Sequence, residues 1–188
     1  ELDFLKSQIS PHFLFNTLNS IYRMSETNNP QTSETVLRLS NLMRYILYQG
    51  KDEKILLSKE IEFIKDYISL GKLRYGEKVP LGFNIEVVDE PYKIVPLILI
   101  SFVENAFKHG PDRSRNDAWI DISLSVINEK LLLVVKNSVN HSATKSVNGG
   151  LGLENAKRRL ELHYPKRHKL SIKENENTYS VELMMDLI

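Results

Sequence analysis

IDISLSVINEKLLLVV, residues 120–135, carries the pattern that decides the fold. Ile120, Ile122, Leu124 and Val126 alternate with Asp121, Ser123 and Ser125, the period of a strand with one buried face. Leu131 to Val135 is a continuous apolar run, and the turn-like pair Asn128-Glu129 joins the two stretches as a hairpin. Outward from this core, Phe83, Ile85 and Val87 alternate upstream. Leu170 and Ile172, then Tyr179, Val181, Leu183 and Met185, alternate downstream around a second turn, Asn175-Glu176-Asn177. Five strands and two hairpins are thus expected. Helical stretches over about 94–109 and 151–164 separate them. A further helix carries Ile61, Ile64 and Ile68 at helical steps and ends at Gly76. Ser58 suits its N-cap, and Glu60 in its first turn complements the helix dipole. Three helices and five strands predict a two-layer α+β sandwich with the helices on one face.

The first 50 or so residues have a different period. Leu2, Leu5, Ile9, Phe13, Leu18 and Ile21 recur close to one helical stripe. Asn28-Asn29-Pro30 breaks the pattern, with Asn29 suited to an N-cap and Pro30 to the first helical position. Val36, Leu39, Met43 and Ile46 form a second amphipathic stripe. Two such helices make an antiparallel hairpin that cannot bury both stripes alone. A dimeric four-helix bundle solves this most simply. The charged run Gly50-Lys51-Asp52-Glu53-Lys54 connects the hairpin to the sandwich.

Composition excludes several classes of function. With 41% hydrophobic and 26% charged residues the chain is an ordinary globular mixture, and its 188 residues suffice for one large domain or two small ones. The 25 Lys and Arg against 24 Asp and Glu leave a net charge of +1, which argues against a broad nucleic-acid surface. The absence of cysteine rules out disulfides, Cys-ligated zinc and thiol catalysis. The longest apolar stretch, Val95 to Val103, is interrupted by Pro96 and Ser101 and falls far short of the roughly 20 residues that span a bilayer. The chain starts at Glu1 without a secretion signal and reads as a piece of something longer.

Three segments carry candidate chemistry. On the 94–109 helix, Val95, Ile98, Leu99, Phe102, Val103 and Ala106 share one arc, while Ser101, Glu104, Asn105 and Lys108 share the opposite one, with His109 at its edge. A carboxylate, an amide and a cation together suit a magnesium–phosphate site, because Mg²⁺ takes few protein oxygens and keeps water and phosphate. The glycines of Gly149-Gly150-Leu151-Gly152-Leu153 precede or open a helix, where backbone can approach phosphate. His12, beside the helix-kinking Pro11, is a candidate phosphoryl acceptor, with Asn16 one turn on to hold the imidazole tautomer. Taken singly, each has an ordinary reading: a solvated helix face, a loop-to-helix turn, a surface histidine beside a capping Ser10-Pro11 pair. The P-loop and protein-kinase H-R-D patterns are absent from the sequence.

Together the three segments resemble the LytS/YehU-type sensor histidine kinases of two-component systems. QISPHFLFNTLN (residues 8–19) is similar to the family's phosphoacceptor box, FVENAFKHG (102–110) to its N box, and GLGL (150–153), with Asn155 and Arg159-Leu160, to its last glycine box. Leu57 to Gly76 resembles the connecting helix, including Glu60, Tyr67 and Arg74. The resemblance implies a dimerisation and phosphotransfer hairpin over residues 1–54 and a Bergerat/GHKL-type ATP-binding domain over 55–188. It implies that His12 is the phosphoacceptor, that Asn105 ligates Mg²⁺, and that Glu104 positions magnesium, water or the nucleophile. Lys108 and His109 would lie near the phosphates, and Gly150, Gly152 and Leu153 would line the ATP lid. The phosphoryl group would pass to an aspartate of a response regulator, often of LytTR type, without direct contact of this chain with nucleic acid. Full-length relatives carry membrane-spanning sensor segments, so this would be the cytoplasmic part of a bacterial inner-membrane protein that acts as a homodimer.

The chain departs from the wider histidine-kinase pattern at one position. Where a D-x-G-x-G aspartate accepts from the adenine amino group, this strand ends VVKNSVN (134–140), placing Asn137 at the aspartate position and lacking the box glycines. An amide oxygen accepts the same hydrogen bond without the charge. The departure motivates an alternative: a catalytically weak GHKL-fold module that signals by dimer rearrangement. A gyrase- or MutL-like ATPase is disfavoured, because Ser101 stands where that class carries its general-base glutamate.

Overall fold

The computed structural model describes residues 11–75, 79–86, 91–109, 117–139 and 150–187. Helices α1 (Pro11–Glu26) and α2 (Thr32–Tyr48) form the N-terminal hairpin, and a 3-10 turn (Gln49–Lys51) leads out of it. Then follow β1 (Ile55–Leu56), α3 (Leu57–Tyr75), β2 (Leu81–Glu86), β3 (Lys93–Ile94), α4 (Ile100–His109), β4 (Ile120–Ile127), β5 (Lys130–Ser138), α5 (Gly150–His163), β6 (His168–Glu174) and β7 (Thr178–Asp186). The five long strands form one mixed sheet in the order β2-β4-β5-β7-β6, with β2 parallel to β4 and the rest antiparallel. The expected α+β architecture is present, with its five strands and two hairpins. Asn128 and Glu129 close the first hairpin with φ of 50° and 62°, the left-handed pair that a two-residue turn requires.

Alternation places the core. Ile120, Ile122, Leu124 and Val126 of β4 face inward, opposite Leu131, Leu133 and Val135 of β5, which in turn pair with Val181, Leu183 and Met185 of β7. Helices α3, α4 and α5 supply the second layer through Leu57, Ile61, Ile64, Phe102, Val103, Ala106, Ala156 and Leu160. The hairpin joins the same core through Leu39, Leu42 and Tyr45 of α2, and Arg38 pairs with Asp66 of α3 at 2.9 Å.

Several boundaries differ from the sequence expectation, each for a local reason. Helix α2 starts at Thr32, not Pro30; Asn29 caps an earlier turn instead, its Oδ1 accepting the Gln31 N–H at 2.9 Å while its carbonyl accepts from Thr32. Helix α3 starts at Leu57, ahead of Ser58, because β1 pairs with β3 and the Leu57 N–H donates to Tyr92 O at 2.8 Å. That two-residue strap was not expected, being too short to show a period. Helix α4 starts at Ile100, not near 94. Pro96 holds Val95 out of helical geometry, and Leu97 takes a left-handed φ of 58°. Helix α5 spans 150–163, one residue earlier than expected at each end.

The hairpin stripes also split. Leu39 is buried and Phe13, Ile21 and Ile46 pack on the core, whereas Leu18, Val36 and Met43 point outward. Of the expected features, Leu2, Leu5, Ile9, Ser10, the helix end at Gly76, Val87, Gly110, Gly149 and the lid residues 140–148 lie outside the described residues.

Candidate functional site

The inward row of β5 reads Leu131, Leu133, Val135, Asn137: three apolar residues, then an amide that is 1% exposed. Asn137 Nδ2 donates to the Ser138 carbonyl at 3.0 Å, while its Oδ1 has no donor. Tyr179 stands opposite Asn137 in the β5–β7 register. Burial and then the Glu174 charge push the Tyr179 phenol up, and a side-chain hydrogen bond with Asn105 of α4 opposes them. One end of the sheet therefore gathers Asn105, Asn137 and Tyr179, all on the helix-covered side.

Helix α4 is oriented by its buried residues Phe102, Val103, Ala106 and Phe107. Ser101, Glu104 and Asn105 are consequently half-buried along its other flank, Lys108 is exposed, and His109 closes the helix. The turn that launches it is braced by side chains. Glu60 of α3, wholly buried, accepts the Leu97 N–H at 2.9 Å, the Leu99 N–H at 3.2 Å and the Tyr45 hydroxyl of α2. Arg159 of α5 donates to Pro96 O at 2.6 Å and Leu97 O at 3.1 Å, and the Tyr164 hydroxyl accepts the Val95 N–H at 3.0 Å. Burial raises the Glu60 carboxyl above its ordinary range, opposed by Tyr45, the two amides and Arg159. Burial lowers the Arg159 guanidinium, with Glu60 opposing. Burial and then the Glu60 charge push the Tyr45 phenol up, so that it remains a donor.

Glu60 was expected in the first turn of this helix, complementing its dipole, and it stands there; what was not expected is that its carboxylate is buried. The signal was present in the sequence. Leu57, Glu60, Ile64 and Tyr67 recur at helical steps, so Glu60 occupies a slot on the apolar stripe. Tyr179 carried no signal of this kind, because α5 and β6 lie between β5 and β7 in the chain and no tight turn fixes the register of that pair. Arg159 and Tyr164 carried no such signal, since their partners are backbone atoms of a turn.

Helix α5 opens at Gly150; Gly152 is exposed, with no atom within 4 Å of where a Cβ would lie, and Leu153 packs half-buried on the core. Farther along the same helix, Arg159 ties it to the turn that precedes α4. His12 and Asn16 lie on a separate element. His12 is exposed near the start of α1, and the Asn16 amide nitrogen is 3.3 Å from both ring nitrogens. The first residue described is Pro11, so its effect on the helix upstream falls outside the described residues. Among those residues no cluster of three or more His, Asp or Glu side chains could cage a metal. No described helix is long and apolar enough to cross a membrane.

Comparison with known proteins matches this arrangement to one class. The model of the family described as histidine kinase matches residues 1–79. In structure, the catalytic domain of histidine kinase ThkA aligns over 71% of this chain and 93% of its own, at 17% identity and a TM-score of 0.50. The histidine kinase domain of the EL346 blue-light activated kinase from Erythrobacter litoralis aligns over 98% and 92%, at 16% identity and 0.51. The fold is that of histidine kinases. In sequence, the sensor histidine kinase YpdA of Escherichia coli is 30% identical over 87% of this chain, and the sensor protein LytS of Staphylococcus haemolyticus 28% identical over 85%. The sensor histidine kinase/phosphatase LytS of Staphylococcus aureus is 29% identical over 85%. Over most of its length the chain is similar in sequence to sensor histidine kinases of the LytS type, which are enzymes. It spans about 30% of the length of the curated relatives it matches.

Proposed function

We propose that this chain is the kinase region of a two-component sensor. It binds ATP on the helix side of the sheet and transfers the γ-phosphoryl group to His12, from which an aspartate of a separate response regulator, of LytTR type, receives it. The observation that carries the reading is the buried Asn137 oxygen without a donor, at the edge of a cluster with Tyr179 and Asn105. A buried acceptor left unpaired costs about 1–3 kcal/mol. The amino group of adenine is a donor of the right kind. Asn137 then does with an amide what an aspartate would do with a charge.

The other residues fit the polar end of a nucleotide. Asn105 offers one hard oxygen, enough for Mg²⁺ that keeps water and phosphate as its remaining ligands. Bound there, Mg²⁺ would neutralise charge on the phosphate oxygens. Lys108 and His109 add cationic or donor groups on the same helix, and Glu104 orients the nucleophile or the metal's water. Gly150 and Gly152 let the start of α5 approach phosphate, with Leu153 anchoring that start to the core. At His12, a neutral ring nitrogen takes the phosphoryl group as ADP leaves, and Asn16 holds the imidazole edge.

The hairpin, residues 1–54, pairs with a second copy as a four-helix bundle, and residues 55–188 form the nucleotide domain. Phe15, Leu18 and Tyr22 of α1 and Val36, Met43 and Leu47 of α2 form exposed apolar stripes that such a bundle would cover. The full-length protein is anchored in the bacterial inner membrane with this region in the cytoplasm, and the chain itself does not contact nucleic acid. Incubation with γ-labelled ATP and Mg²⁺, beside a His12→Ala variant, tests the reading. Acid-labile, base-stable label that is lost in the variant is expected. Label that survives His12→Ala, or ATP binding with hydrolysis and no label, would overturn it.

A further inference from the structure

We propose that Phe13, Tyr67 and Phe107 form an aromatic relay that sets the position of His12 relative to the helix bearing Asn105. Phe13 and Phe107 thus act as positioning residues for phosphoryl transfer. The inference rests on the reading that His12 receives the phosphoryl group, and adds how the hairpin is held to the nucleotide domain for that step.

The relay is continuous from one site to the other. Phe13, the residue after His12, stacks on Tyr67 with ring centroids 4.3 Å apart and planes 12° from parallel. Tyr67, on α3 and almost wholly buried, meets Phe107 edge-on at 5.6 Å and 88°. Phe107 is buried on α4, two residues after Asn105 and one before Lys108. These are the two geometries that aromatic quadrupoles favour.

The far end has little slack. Gly71, one turn after Tyr67, leaves only bare backbone beside Phe107: a Cβ there would fall 2.5 Å from Phe107 Cε1 and 3.0 Å from Cδ1. Phe107 is therefore held between the Tyr67 ring and the α3 backbone. At the near end α1 is regular helix, and the Thr17 hydroxyl donates to Phe13 O at 2.9 Å, so His12 moves with Phe13. A close-packed contact of this kind shifts between discrete arrangements and does not deform smoothly. Phosphoryl transfer is mostly a matter of placement, and a misplacement of about 1 Å costs on the order of a hundredfold.

The test measures the maximal rate of His12 phosphorylation and the KM for ATP in the 188-residue chain. Phe13→Leu removes the ring at the hairpin end. Gly71→Ala, helix-compatible by itself, displaces Phe107 at the other end and leaves His12 untouched. Each is expected to lower the maximal rate about tenfold or more, with KM within about twofold. Phe13→Tyr, which keeps the ring, restores most of the rate lost in Phe13→Leu. The double variant Phe13→Leu/Gly71→Ala loses no more than the worse single, because one relay is cut twice. Active wild-type protein with both single variants at wild-type rates would overturn the relay while sparing the kinase reading. Losses that multiply in the double variant, or that appear in KM and in the melting temperature instead of the rate, would also overturn it. Wild-type protein without phosphohistidine would overturn both.

Discussion

The hairpin and the sheet domain use apolar residues in opposite ways. In the sheet domain, alternation sends most large aliphatic side chains of β4, β5 and β7 into one core, leaving Leu132, Val134 and Met184 on the other face and Ile127 at the turn. In the hairpin each helix has two apolar faces. One docks on α3 through Leu39, Leu42 and Tyr45; the other leaves Phe15 66% and Tyr22 63% exposed, beside Leu18, Val36, Met43 and Leu47. The sheet domain is therefore complete as one chain, whereas the hairpin carries a face built for something else. A monomer of this size rarely exposes so continuous an apolar stripe without a partner. The two regions meet at α3, which gives one polar anchor, Glu60, and one aromatic anchor, Tyr67, to both.

The sharpest way to break the comparison is to remove the polar anchor. Glu60→Ala strands two buried N–H groups and the Tyr45 hydroxyl and removes the charge opposing Arg159, and should cost about 3–5 kcal/mol in urea unfolding. A loss below 1 kcal/mol would mean that the node is incidental to how the regions hold together.

A matched pair of leucines on α2 measures the two faces against each other. Leu42→Ala, in the docked face, should cost about 2–5 kcal/mol. Leu47→Ala, in the uncovered face, should change monomer stability by no more than about 0.5 kcal/mol and raise the dimer dissociation constant in sedimentation equilibrium. Equal effects on folding from the two would erase the distinction between docked and uncovered faces.

The smallest change concerns the polar end of the sheet core. Asn137→Asp puts a charge where the amide oxygen lies. It should tighten ATP by about 1 kcal/mol, roughly fivefold in calorimetry, because a charge-assisted hydrogen bond is about twice as strong as a neutral one. The nucleotide-free protein should melt lower, since a buried carboxylate without a donor is costly. Weaker ATP binding by the variant would place the adenine elsewhere.

How much of this was legible in the sequence depended on whether a period was involved. The five strands and both hairpins were, because alternation persists over six to nine residues in most of them. The β1–β3 strap was not, at two residues per strand. The start of α4 was misjudged because Val95, Ile98 and Leu99 fit a helical wheel. What decides the backbone there is Glu60, some 37 residues away, which captures the Leu97 amide. The hairpin stripes fitted a helical face, but only docking on α3 reveals that they divide into two. Among the site residues, Asn137 stood out against the family pattern and Asn105 by its place on the polar arc of its helix; the structure adds Tyr179, which pairs with the one and hydrogen-bonds the other. His12 gained its Asn16 neighbour from simple helical spacing.

The central claim is that the nucleotide sits over Asn137, Tyr179 and Asn105. Its most direct test is an ATP titration followed by the side-chain amide resonances of ¹⁵N-labelled protein, assigned with Asn105→Ser and Asn137→Ser variants. The account predicts that Asn137 shifts with ATP, ADP and adenosine alike, and that Asn105 shifts strongly only when phosphates and Mg²⁺ are present. Saturable ATP binding that leaves both amides unmoved would contradict it.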